Sequence, residues 1–182
     1  MSKEQSSGKQ HILVIGYGNV YCRDDGVGHY VINALRKRTG VRELQPDEDG
    51  MDELGKDFDT LLVHQLVPEI ASVAAHYHTV VFVDAHTGII PEEIRIVSVK
   101  EEYAFHAVTH HMSPGMLLAM ARKVEGTAPP GYLVSIKGND FNFGLGLTDA
   151  CRTRADASIQ KILDLIQTQE MISDQSSIGN QQ

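Results

Sequence analysis

Cysteine is scarce in this chain. Only Cys22 and Cys151 occur among 182 residues, far apart and outside any C-x-x-C pair. There is no disulfide framework or cysteine metal clip to read, which suits a reducing cytoplasm. Basic side chains are outnumbered: 16 Lys and Arg against 24 Asp and Glu leave a formal net charge of −8. Nucleic acids and anionic membranes are bound by basic patches, so neither partner is expected. No apolar run approaches the roughly 20 residues of a membrane span. The opening "MSKEQSSGKQ" is polar where a secretory signal would be apolar. Internal repeats and low-complexity core segments are missing as well.

Several catalytic signatures are also absent. The stretch "GYGNVYCRDDGVG" at 16–28 follows an apolar run, as a phosphate loop would, yet G-x-G-x-x-G would need glycine where Tyr21 stands. G-x-x-x-x-G-K-[ST], H-E-x-x-H and G-x-S-x-G do not occur. Two aspartates close the loop, and they would repel a phosphate.

What remains is an alternation of strand-like and helix-like segments. The runs at 12–16, 60–66, 79–85 and 132–138 are apolar enough for strands covered on both faces, and 93–100 has the imperfect alternation of an edge strand. Val27, Tyr30, Val31, Ala34 and Leu35 make one helical stripe. Pro68 suits the first turn of a helix carrying Ile70, Val73, Ala74 and Tyr77. Ser113-Pro114 has the form of a cap and first turn, with Gly126 past the helix end. Ile159, Ile162, Leu163 and Ile166 give a closing amphipathic helix. The acidic stretch 41–58 is expected as a surface loop. Residues 1–10 and 168–182 are expected as disordered tails around a single domain at 11–167. The fold class is therefore α/β: a mainly parallel sheet of about five strands with helices on both faces. Right-handed crossovers put the strand-to-helix loops at one sheet edge, where such folds bind ligands.

Four places at that edge carry chemistry. Asp24 and Asp25 begin a helix; one suffices as an N-cap, and the other is free to point across the edge. Asp84 ends the apolar strand "VVFVDA", where it either binds loop N–H groups or faces the same edge. His110 and His111 precede the helix at Pro114, as cap or surface residues or as donors to the cleft. Two carboxylates and an imidazole in one cleft form a mixed O/N set for a borderline divalent metal such as nickel or zinc, with positions left open. His86 is a candidate auxiliary ligand. The other histidines have no ligand spacing. Cys22, near a helix N-terminus but without an identifiable base, is read as structural or incidental.

In combination, the short strand, the G-x-G-N turn, D-D-G at 24–26, V-D-A at 83–85 and T-H at 109–110 resemble the endopeptidases that mature [NiFe] hydrogenases. The similarity runs from about Ile12 to Ile166 and includes "FNFGLGLTDA" (141–150). It implies an α/β/α sandwich that cleaves a C-terminal extension from the hydrogenase large-subunit precursor. It implies Asp25, Asp84 and His110 as the catalytic, metal-contacting residues, with Thr109 favouring His110 over His111. It further implies that the nickel is substrate-borne, already inserted in the precursor, with no tightly bound resident metal in the enzyme. No nucleophile follows from it. A nickel carrier without proteolysis would use the same ligands, and a small-molecule or nucleotide-binding α/β protein would need a closed pocket instead.

Overall fold

The run from Ile12 to Ile15 is buried and forms the centre of β1 (Gln10–Tyr17). A strand apolar on both faces needs helices above and below it. The computed structural model describes residues 10–48, 50–52, 58–103 and 112–179. After β1 come α1 (Val27–Arg38), β2 (Gly50–Asp52), β3 (Phe58–Val63), α2 (Ile70–Ala74), β4 (Tyr77–His86), β5 (Ile94–Val99), α3 (Pro114–Glu125), β6 (Gly131–Lys137) and α4 (Asp149–Gly179). Among the described residues, six strands form one sheet in the order β2-β3-β1-β4-β6-β5. The inner four are parallel, and β2 and β5 are antiparallel edges.

The strand pleat sorts the core into two layers. Ile12, Val14, Val81, Val83, Val134 and Ile136 face α1 and α4, meeting Val31, Leu35, Ile159 and Ile162. Leu13, Ile15, Val80 and Phe82 face the other way, onto Ile70 and Ala74 of α2 and Leu117 and Leu118 of α3. The result is the expected three-layer α/β/α sandwich. The connection from β1 to β3 therefore runs through α1 on one face, and that from β4 to β6 runs through β5 and then α3 on the other. Where two adjacent parallel strands send their connections to opposite sides, a crevice opens at their carboxyl ends. Tyr17 and Asp84 stand at that crevice.

Local signals behave as the sequence suggests around α3. Ser113 is extended and accepts a hydrogen bond from the Met116 N–H at 3.1 Å, Pro114 opens the helix, and Gly126 closes it at φ +75°. Other expectations are corrected. The five expected strands are all present, and the supposed acidic surface loop adds a short sixth, since Gly50–Asp52 pairs with β3. Tyr77 starts β4 instead of ending α2: it is buried and its hydroxyl donates to Asp59 at 2.9 Å. Gln10 belongs to β1 through its pairing with Tyr77. Residues 168–179, expected as part of a tail, continue α4. The segment holds Gln, Glu and Met with no proline and no glycine before Gly179, so a helix already nucleated on the core propagates through it. Residues 1–9 and 180–182 lie outside the described residues.

Candidate active site

The first wall of the crevice is the turn from β1 to α1. Helix and strand approach closely because Gly16 and Gly28 face each other: a Cβ on Gly28 would meet the Tyr17 carbonyl oxygen at 2.6 Å. Gly18 has φ +130°, and a Cβ there would run into the Asp25 carbonyl oxygen. With the chain folded so tightly, the Asn19 N–H donates to Asp25 Oδ2 at 2.7 Å. The Asn19 side chain fastens the rest of the turn, accepting from the Tyr21 N–H at 2.9 Å and donating to Cys22 Sγ at 3.3 Å. The glycine-rich loop thus turns a backbone N–H onto the chain's own carboxylate instead of cradling a phosphate.

The aspartate doublet divides its work, though not by capping. Neither the 3-10 turn Arg23–Gly26 nor α1 has a side-chain cap. Asp24 is fully buried and accepts from the N–H groups of Asn139 (2.7 Å), Asp140 (3.1 Å) and Thr148 (2.7 Å) and from the Thr148 hydroxyl (2.7 Å). Burial alone would raise its pKa; these bonds to the charged form outweigh that and hold it below the usual carboxylate range. Asp24 therefore ties down both ends of the 139–148 loop, the "FNFGLGL" run included. Asp25 is left to line the cleft.

Asp84 forms the opposite wall. It ends the buried part of β4 and is itself half-buried. Burial pushes its pKa up to about 6; hydrogen bonds from the Tyr17 hydroxyl and the Ala85 N–H (2.8 Å to Oδ1) pull down, and the charge of Asp25 pushes up again. The Tyr17 phenol is raised well above its ordinary range, first by its own burial and then by Asp84. Asp25 and Asp84 line the same cleft as like charges, which disfavours ionising both.

The cleft between these walls is about 730 Å³ and includes Tyr17, Asn19, Cys22, Asp25, His64 and Asp84 in its lining. Met112, Ser113 and Pro114 also line it, so the start of α3 does return to this edge. His110 and His111, just before that segment, lie outside the described residues. Among the described residues no group of three His, Cys, Asp or Glu side chains is arranged to hold a metal ion; the two carboxylates stand as a pair. His86 does not line the cleft. Its Nδ1 accepts from the Gly88 N–H at 3.1 Å, and burial lowers its pKa. His64, passed over for want of ligand spacing, is exposed and does line the cleft. Its only signal was its place just beyond an apolar strand. Cys22 is at the cleft too, bonded to Asn19.

No family model matches the sequence, and no curated protein matches it either. Solved structures do match in fold. The chain is similar to the hydrogenase maturating endopeptidase HybD from E. coli, at 18% identity over 87% of this chain and 93% of that one, with a TM-score of 0.63. It is also similar to the [NiFe] hydrogenase maturation protease HybD from Thermococcus kodakarensis (16% identity, 86% and 99% covered, TM-score 0.58). A hydrogenase 2 maturation peptidase from a Thaumarchaeota archaeon matches at 17% identity, with 86% and 97% covered and a TM-score of 0.56. The likeness is one of fold along nearly the whole length of each.

Proposed function

We propose that this chain is an endopeptidase of [NiFe] hydrogenase maturation, which removes the C-terminal extension of the large-subunit precursor after nickel insertion by reading the substrate-borne nickel. The observation that carries this reading is the meeting of Asp25 and Asp84 in one open cleft, on the fold of proteins named for that activity. These are the two carboxylates that the motif resemblance singles out, and His110 is the third donor it names.

Two carboxylates without a cysteine clip make a weak resident metal site, but they suit a cation that another molecule holds. Asp25 and Asp84 would offer oxygen donors to the open positions of nickel bound by the precursor, and His110 a nitrogen. The cation would also relieve the repulsion between the two carboxylates. Docking on the metal brings the scissile bond to the cleft, and such positioning alone is worth several kcal/mol. A nickel ion at that point can also polarise a carbonyl or activate water. Under this reading the chain works in the cytoplasm. Both cysteines are free, and no helix among the described residues is long and apolar enough to cross a membrane.

The test is the mass of a nickel-loaded large-subunit precursor before and after incubation with the chain. Loss of a C-terminal fragment is expected with the wild type. None is expected with Asp25→Asn or Asp84→Asn of unchanged circular dichroism, and His110→Ala should impair processing far more than His111→Ala. A precursor that loses nickel but no mass would make the chain a carrier and overturn the proposal.

A further inference from the structure

Tyr17 takes no part in the scheme so far, yet it touches the residue on which the scheme depends. Gly16 of β1 pairs with Val83 of β4, so the next residues, Tyr17 and Asp84, lie side by side at the ends of neighbouring parallel strands. The pleat places both on the α2 and α3 face, where Tyr17 packs against the core cluster that includes Leu13, Ile15 and Phe82. There the phenol and the Asp84 carboxyl line the same cleft as neighbours, which puts the hydroxyl in reach of the carboxylate.

We propose that Tyr17 is a positioning residue of the cleft, whose hydroxyl holds the Asp84 carboxylate so that its remaining oxygen lone pairs face the cation of the substrate. This rests on the function proposed above. A carboxylate turns easily about its terminal torsion, which has broad minima. A single donor, the Ala85 N–H on Oδ1, leaves it free to rock; a second donor from another strand fixes its plane. The carboxylate has about four acceptor sites, so two internal donors leave capacity for a metal.

The choice of phenol has a reason. An Arg or Lys at this place would neutralise Asp84 and compete with the incoming cation. A phenol donates a hydrogen bond without adding charge. The same short turn holds the other carboxylate, since the Asn19 N–H binds Asp25. Tyr17 and Asn19, on either side of Gly18, thus hold the two acids that line the cleft. Partners that orient metal ligands in this way typically affect affinity or activity about 10- to 100-fold when removed.

Tyr17→Phe keeps the ring and its packing and removes only the donor. The first readout is nickel(II) titrated onto the full-length metal-free chain by calorimetry, with no precursor present. The dissociation constant should weaken about 10- to 100-fold in Tyr17→Phe. In an Asp84→Asn background, adding Tyr17→Phe should change it less than about twofold, because residues that act through one another are non-additive. The second readout is processing of nickel-loaded precursor, where kcat should fall while KM and the melting temperature stay close to wild type. An unchanged nickel affinity, a loss equal in both backgrounds, or a chain that takes up no nickel at all would each overturn the role given to Tyr17. The failure of the protease reading is a separate result: wild-type chain that binds nickel through Tyr17-held Asp84 but leaves the precursor's mass intact.

Discussion

Asp84 is costly to keep ionised. With its pKa raised by burial to about 6, the folded chain holds that proton more tightly than the unfolded chain does. Stability attributable to this group is therefore greatest below the unfolded value near 4 and falls as pH rises through about 6. For a half-buried carboxyl the penalty above pH 6 is roughly 1–2 kcal/mol. Asp84→Asn should accordingly melt higher than wild type at pH 7.5, match it near pH 4, and process nothing at either pH. Equal melting temperatures at pH 7.5 would contradict the burial argument. Asp24 has the opposite sign. Its depressed pKa contributes stability that is present above about pH 4 and lost as pH falls further. Asp24→Ala strands three backbone donors and should cost about 3–5 kcal/mol, measured as a shift of the urea midpoint. A change below 1 kcal/mol would mean that the 139–148 loop is held by other means.

The placement of Asp25 and Asp84 at one edge is legible in the sequence because Asp84 ends an apolar run and Asp25 opens the helix that follows another, both local signals. The burial of Asp24 is not. Its partners Asn139 and Thr148 lie 115 and 124 residues away, and no local pattern carries such a contact; a cap is the nearest reading a short window allows. Tyr17 is hidden for a similar reason. At the end of an apolar run it looks like one more core residue, and only the register with β4 reveals its hydroxyl's partner.

At the scale of elements, the contact of α1 with β1 sets where Asp25 stands. Ordinarily Gly→Ala within a helix stabilises it by about 0.5–1 kcal/mol. At Gly28 the new Cβ would press on the Tyr17 backbone, 2.6 Å from its oxygen and 2.7 Å from its nitrogen, and overpacking of that kind costs about 1–3 kcal/mol. Gly28→Ala should thus lower the urea midpoint and also reduce processing, because a displaced α1 carries Asp25 away from Asp84. A midpoint at or above wild type would show that the two elements are not in such tight contact. The main strands, α1 and α3 are legible from apolar runs, a 3.6-residue stripe and the Ser113–Gly126 caps. The apolar spacing also marks α2 and the body of α4, while other features depend on tertiary contacts. β2 is three residues long and exists only through pairing with β3. Tyr77 obeys helical spacing but is drawn into β4 by burial and by Asp59. The end of α4 follows from the helix already docked before it.

For the whole molecule, alternation of strands and helices is enough to give the layers and the edge, but not the strand order that puts the crevice between β1 and β4. The net charge of −8 and the pair of cleft carboxylates favour the approach of cations. The central claim is that the nickel belongs to the substrate. It is tested most directly by a two-by-two mass assay: enzyme chelated and then freed of chelator, or untreated, against precursor that is nickel-loaded or metal-free. The account predicts that both enzyme samples cleave the nickel-loaded precursor equally and that neither cleaves the metal-free one. Rapid cleavage of metal-free precursor, or activity lost for good after chelating only the enzyme, would contradict it.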